Sequence, residues 1–130
     1  MKISGTFEVK LQPLSGYATG SDGIALGRLS IDKQFFGDLE ASSQGEMLSA
    51  RTSVPTSAGY VAIEQVRGKL QGKSGSFVLQ HSGSMSAGNQ TLSLAVVPDS
   101  GTGELVGLSG QMAIIIKDGK HFYEFDYELN

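Results

Sequence analysis

The side chains able to do chemistry are few in this chain, and the sharpest combination is a carboxylate with an imidazole. The stretch 74-SGSFVLQHSGSM-85 alternates, with Phe77, Leu79 and His81 on one face and Val78, Gln80 and Ser82 on the other. An imidazole thus sits on an apolar strand face. The preceding stretch carries Tyr60, Glu64 and Val66 on one face and Gln65, Arg67 and Lys69 on the other. A two-residue turn at Gly72-Lys73 predicts Gly68 opposite Phe77, Val66 opposite Leu79, Glu64 opposite His81 and Tyr60 opposite Met85. A carboxylate beside an imidazole fixes its tautomer and raises its basicity, as a general base requires. The competing reading is a structural pair that ties two strands and satisfies two buried polar groups. Glu64 and His81 are therefore the catalytic candidates if there is catalysis, and no catalytic signature surrounds them.

A second hairpin turns at Asp118-Gly119, a type I′ signal that pairs Ile116 with His121, Ile114 with Tyr123 and Met112 with Phe125. These residues and Tyr127 form an aromatic, apolar face, whereas Glu124, Asp126, Glu128 and Gln111 form the other. The first face is expected inside. His121, Tyr123 and Tyr127 would then be an inward column with polar tips, able to orient a small ligand or simply packed as core. The predicted ligand contacts are Glu64, His81, His121, Tyr123 and Tyr60. Glu64, His81 and His121 could form a facial metal triad only if two separate hairpins converged. Spacing indicates no further ligand, so no metal and no cofactor are expected. Glu40 and Glu46 share a parity with Leu48 and are expected on the outer wall. Gly72-Lys73-Ser74 is followed by a strand, where a phosphate loop needs a helix. The glycines at 101, 103, 107 and 110 suggest a tightly folded loop, not a dinucleotide site, and no Gly-x-Ser-x-Gly elbow occurs.

The elements that must position these residues are strands. Apolar residues recur with period two, and turn residues interrupt every 10 to 14 positions. Strands are predicted over Ile3–Leu11, Ala25–Phe36, Leu39–Ala50, Tyr60–Gln71, Gly75–Met85, Thr91–Val97, Gln111–Lys117 and His121–Leu129. The segment 98–110 is read as an irregular loop with room for a short turn of helix or strand. Eighteen glycines in 130 residues is about twice the usual frequency, which suits turns and bends in an all-β chain. About eight antiparallel strands must close or form two sheets to hide their edges. A closed antiparallel β-barrel, residues 1–130 as a single domain, is expected, with a sandwich as the alternative.

Composition removes several function classes. The net charge is −3 with acids and bases interspersed, and there is no basic stripe for nucleic acid. The longest apolar run, 112-MAIII-116, is too short to span a membrane as a helix. There is no cysteine and the N-terminal residues lack the apolar core of a secretory signal, so a cytoplasmic location is expected.

The run 59-GYVAIEQVRGKLQGKSGSFVLQHSGSM-85 resembles the centre of the bacterial domain-of-unknown-function family 3224 (DUF3224). Three further pieces match it: 37-GDLEASSQGEML-48, 97-VPDSGTGELVGLSGQM-112 and 119-GKHFYEFDYEL-129. Together they cover most of the chain from Gly37 on. The resemblance implies a small closed barrel similar to allene oxide cyclase and the dirigent-like barrels. It implies none of their activities, because no motif of that cyclase matches positions here. Related barrels often form trimers, so a homo-oligomer is a further implication.

Three functions follow as expectations. The first is a barrel that binds a small, mostly apolar molecule. The second is an isomerase or cyclase using Glu64 and His81 as acid and base. The third is a filled barrel that acts through its outer surface. A binder needs a cavity of at least about 300 Å³, an enzyme needs that cavity and an accessible His81, and both readings fail if Phe77, Leu79, Phe125 and Met112 fill the barrel.

Overall fold

The computed structural model describes all 130 residues, and the strands close on themselves. They are β1 Lys2–Pro13, β2 Ala25–Gly37, β3 Leu39–Arg51, β4 Ala58–Leu70, β5 Lys73–Ser86, β6 Asn89–Val96, β7 Leu108–Lys117 and β8 Lys120–Leu129. Each pairs antiparallel with its sequence neighbours, and β8 returns to β1 through Ile3–Phe125, Gly5–Tyr123 and Phe7–His121. The result is the closed eight-stranded barrel, not the sandwich. No helix is long and apolar enough to cross a membrane.

Two-residue turns set the registers. Asp118 (φ 53°) and Gly119 (φ 74°) are both left-handed, as a type I′ turn demands, and the β7–β8 register is the predicted one. The β4–β5 turn differs. Its left-handed residues are Gln71 (φ 47°) and Gly72 (φ 84°), one position earlier than the Gly72-Lys73 turn that the sequence suggests. The pairing moves by two residues: Glu64 lies opposite Leu79, Val66 opposite Phe77, Ala62 opposite His81 and Tyr60 opposite Gly83. A shift of two preserves every side chain's face, so Glu64 and His81 both stay inside, as diagonal neighbours instead of a direct pair.

The two ends of the barrel are built differently. The end near the chain termini is closed. Segment 97–107 lies along β5 there: Thr102 N–H donates to the Ser76 carbonyl (2.8 Å), Val78 N–H to Ser100 Oγ (3.0 Å) and Ser74 N–H to Glu104 Oε1 (3.0 Å). It includes a single 3-10 turn, Gly103–Leu105, which buries Leu105 under the barrel. β7 therefore starts at Leu108, earlier than the sequence suggested. Above this plug, Leu39, Leu70, Phe77, Leu79, Met112, Phe125 and Tyr127 pack into one buried cluster.

The opposite end is bounded by the loops 14–24 and 52–57 and the turns at 87–88 and 118–119. Its inward positions are apolar but incompletely covered. Leu29, Met47, Tyr60, Met85 and Ile114 are half-buried, Leu92 is 43% exposed, and Ile116 is 67% exposed. The sequence expectation that Ile116 is enclosed is thus overturned, because its strand end projects past the closed core. Inward parity in a barrel guarantees burial only where opposing strands still face it.

The β5–β6 turn offers a check on this local logic. Ala87 is held at φ 49° beside Gly88 at φ 89°, a region that costs an alanine about 1–2 kcal/mol and suits asparagine. Ala87→Asn is expected to stabilise the fold by about 1 kcal/mol, read as a higher urea midpoint with unchanged slope. An unchanged or lower midpoint would contradict the strain argument.

Candidate functional site

At the boundary between the closed and open halves lies a buried ionic cluster. β4 places Glu64 inward with no exposed surface. His81 Nε2 is 2.5 Å from Glu64 Oε2, Lys33 Nζ donates to the same oxygen at 2.8 Å, and Ser43 Oγ donates to Oε1 at 2.7 Å. Lys33, Ser43 and His81 are buried as well, at 9%, 3% and 4% exposure. The backbone opposite Glu64 is Gly45, where a Cβ would sit 2.6 Å from the Glu64 Cα. Only glycine allows β3 that close to β4 at this level.

Burial alone would raise the Glu64 pKa, since a carboxylate loses its hydration. The His81 hydrogen bond, the Lys33 charge and the Lys33 and Ser43 hydrogen bonds outweigh it and hold the group at about 2. Glu64 is therefore an anion that can only accept, and Nε2 of His81 must carry the hydrogen between them. No fully buried side-chain nitrogen or oxygen lacks a partner. Nδ1 of His81 makes no hydrogen bond within the chain and is the cluster's one ring nitrogen left without a partner there. The Lys33 ammonium lies 5.1 Å and 5.8 Å from the ring centres of Phe7 and Phe35, which favour a cation over their faces.

Tyr60 stands on the open side of the cluster. Its ring centre is 6.3 Å from that of His81, and it lies across Gly83, where a Cβ would collide with the ring. Its hydroxyl has no partner in the chain, and burial, followed by the Glu64 charge, pushes its pKa up. Of the five residues expected to contact a ligand, Glu64, His81 and Tyr60 are together. Tyr123 is elsewhere. It is fully buried near the closed end, where its hydroxyl accepts Leu39 N–H (3.0 Å) and faces the Phe36 carbonyl (3.0 Å). Glycines at 5 and 37 leave room for that hydroxyl. Tyr123 is thus a strand tie, as is Tyr127, bonded to Gln71. His121 is half-buried against the Phe7 ring (centres 5.1 Å apart) and makes no hydrogen bond to Glu64 or His81. No group of three His, Asp or Glu side chains converges as a metal would need. Glu40 and Glu46 lie on the outer wall, with Glu46 on Arg28 at 2.6 Å.

Lys33 and Ser43 were missed by the sequence reading. The signal was present: in 31-IDKQF-35, Lys33 falls between Ile31 and Phe35 on the inward parity, and a lysine there demands a buried anion.

The barrel wall is split beside this cluster. β6 and β7 share one ladder pair, Ala95–Gln111, and splay apart toward the open end. The split is a cleft of about 520 Å³, with Leu92, Leu94, Met112 and Ile114 on its inner side. Leu94 is the direct ladder partner of His81, so the cleft begins one strand away from the imidazole. A larger groove of about 700 Å³ runs over the outer wall of β1–β4, but polar and charged residues such as Glu8, Lys10, Asp32 and Arg67 line it. Lys2, Ser93, Gln111, Glu124 and Asp126 make up the rest of the smaller cleft's lining, and no residue of the cluster lines it, whereas Lys33 and Ser43 are among the residues lining the larger groove. Its larger share of hydrophobic lining makes the smaller cleft the better candidate for an apolar molecule.

The chain belongs to the family described as protein of unknown function (DUF3224), whose model matches residues 3–127 and so takes in the first two strands too. It is similar to a DUF3224 protein of unknown function from Shewanella oneidensis MR-1, known from a crystal structure. The two are 61% identical, with a TM-score of 0.98 over 100% of this chain and 97% of that one. No curated protein matches the chain.

The cluster predicts an acid-sensitive fold. Because the Glu64 pKa is lowered from 4.5 to about 2, its stabilisation is complete above about pH 4.5 and is lost as pH falls toward 2. Glu64→Gln should flatten urea-unfolding stability across that window. Lys33→Met alone should cost about 3–5 kcal/mol by leaving a buried anion, and adding Glu64→Leu should recover most of it. A Lys33→Met protein as stable as the parent would refute the ionic account.

Proposed function

We propose that this DUF3224 protein is a cytoplasmic binding barrel that holds a small, mostly apolar molecule at its open end and in the β6–β7 cleft. The observation that carries this reading is the cleft itself. Its volume of about 520 Å³ exceeds the roughly 300 Å³ that small-molecule sites need. Leu92, Leu94, Met112 and Ile114 form its aliphatic part, and Lys2, Ser93, Gln111, Glu124 and Asp126 form its polar part. The half-covered Leu29, Met47, Leu92 and Ile114 extend that apolar surface into the mouth. Such surface, left facing water, is characteristic of an interaction site.

The closed half agrees with one part of the filled-barrel alternative. Phe77, Leu79, Phe125 and Met112 are all buried in the core, which counts against a ligand or substrate inside the barrel as the sequence reading had it. The ligand space in this reading is peripheral, bounded by the mouth and the split wall. With Nε2–H held on Glu64, Nδ1 is the nitrogen that an isomerase would use, and turnover of a bound compound would move the protein to that class.

The uncharged dye N-phenyl-1-naphthylamine tests the reading. Its emission should rise on addition to the protein. Ile114→Trp, which fills the cleft, should weaken binding about tenfold or more, while Val61→Trp on the outer wall should not. No enhancement with the parent protein, or equal loss with both variants, would reject the site.

A further inference from the structure

The charges and hydrogen bonds of the cluster restrict the chemistry of what can dock on it. Lys33 and Glu64 cancel, and Ser43 completes the second carboxylate oxygen. The groups facing His81 are Glu64 and Tyr60 from β4, with Lys33 behind the carboxylate from β2 and Leu94 from β6. With Nε2–H committed to Glu64, a neutral ring presents a lone pair at Nδ1. A bound molecule meets that lone pair with a hydrogen-bond donor. A ligand bringing only an acceptor, such as an ester or ketone, would need an imidazolium, leaving one uncompensated positive charge in a buried group.

An acid avoids this conflict. If the ligand group is O–H, its proton is donated or transferred to Nδ1. If it arrives as a carboxylate, the ring takes one proton from water. In both cases Lys33, Glu64, His81 and the ligand sum to zero charge, and once the proton is on Nδ1 the new contact is a charge-assisted hydrogen bond. The Tyr60 ring centre is 6.3 Å from that of His81, and its half-buried hydroxyl has no partner in the chain, which leaves it free to donate to a ligand oxygen.

We infer that Nδ1 of His81, assisted by the Tyr60 hydroxyl, anchors an acidic O–H group, so that the ligands of this barrel are apolar weak acids: a carboxylic acid or phenol on an aliphatic or aromatic body. The inference rests on the binding reading above, since the apolar body is what the cleft would hold.

The matched pair 4-butylbenzoic acid and methyl 4-butylbenzoate tests it on the intact protein. Both displace bound N-phenyl-1-naphthylamine if the cleft takes the apolar body. The acid should do so at about tenfold lower concentration, the worth of one charge-assisted hydrogen bond. In ¹⁵N-histidine spectra the acid should move the Nδ1 resonance of His81 toward the protonated position, and the ester should not. Tyr60→Phe, which keeps the ring over Gly83, should reduce the acid's advantage over the ester several-fold. Equal displacement by acid and ester, or an unmoved Nδ1 resonance with acid bound, overturns the acid assignment while leaving the binding reading intact. Failure of the acid to displace bound dye also overturns it. A protein that takes up neither dye nor acid overturns the binding reading itself.

Discussion

One carboxylate organises the middle of this barrel. Glu64 has no exposed surface, and an anion stripped of water must be matched by charge and hydrogen bonds or it will not stay ionised. Three strands supply the match. Lys33 comes from β2, Ser43 from β3 and His81 from β5, all converging on β4. Each donor requires its own strand to keep inward parity at one level, so a register slip in β2, β3 or β5 would strand the charge. Gly45 is part of the same demand, because β3 must come close to β4 where the carboxylate turns in. The cluster therefore acts as a register lock for four adjacent strands, in addition to whatever it does at its open edge.

The cluster also divides the barrel into unlike halves. On one side, aromatic and aliphatic side chains fill the interior and the 97–107 segment seals it, with Leu105 as the plug. That segment spends hydrogen bonds on β5 that a longer β6 would otherwise occupy, through Thr102, Ser100 and Glu104. β6 is accordingly the shortest strand, and its ladder to β7 has one pair. Sealing one end and splitting the wall toward the other are thus linked through a single loop. The stability of the closed half, with its continuous core, allows the open half to keep apolar surface uncovered.

Much of this was legible in the sequence, and the limits have physical causes. Period-two alternation and the spacing of turn residues suffice for eight strands and for closure, because unclosed edges are penalised whatever the side chains are. The Asp118-Gly119 register was readable because both residues accept left-handed backbone. The Gln71-Gly72 turn was not, since glutamine rarely takes φ near 47° and Gly72-Lys73 competes for the same hairpin. The error was harmless to the site because pairing moves in steps of two. The fate of Tyr123, Tyr127 and Ile116 could not be read from parity. Parity names a face, whereas height along the barrel decides whether that face meets core, plug or water. Lys33 is the instructive miss: its inward position was plain from Ile31 and Phe35, and its partner had already been identified as a buried acid.

The buried pair is not needed for stability as such. Replacing such pairs by apolar residues of similar size is often neutral or favourable, and the closed half shows that this chain can fill a barrel with Phe, Leu and Tyr. A purely apolar layer at the level of Glu64 would extend that core and would need no glycine at 45. What it could not supply is an imidazole with one nitrogen pinned and the other without a partner in the chain. Pinning requires an acceptor that stays ionised in the absence of water. Keeping that acceptor ionised requires Lys33, and holding the lysine in place without hydration calls on the faces of Phe7 and Phe35. Each costly element answers the need of the one before it. The sequence of needs ends at His81, whose Nδ1 no group of the chain occupies.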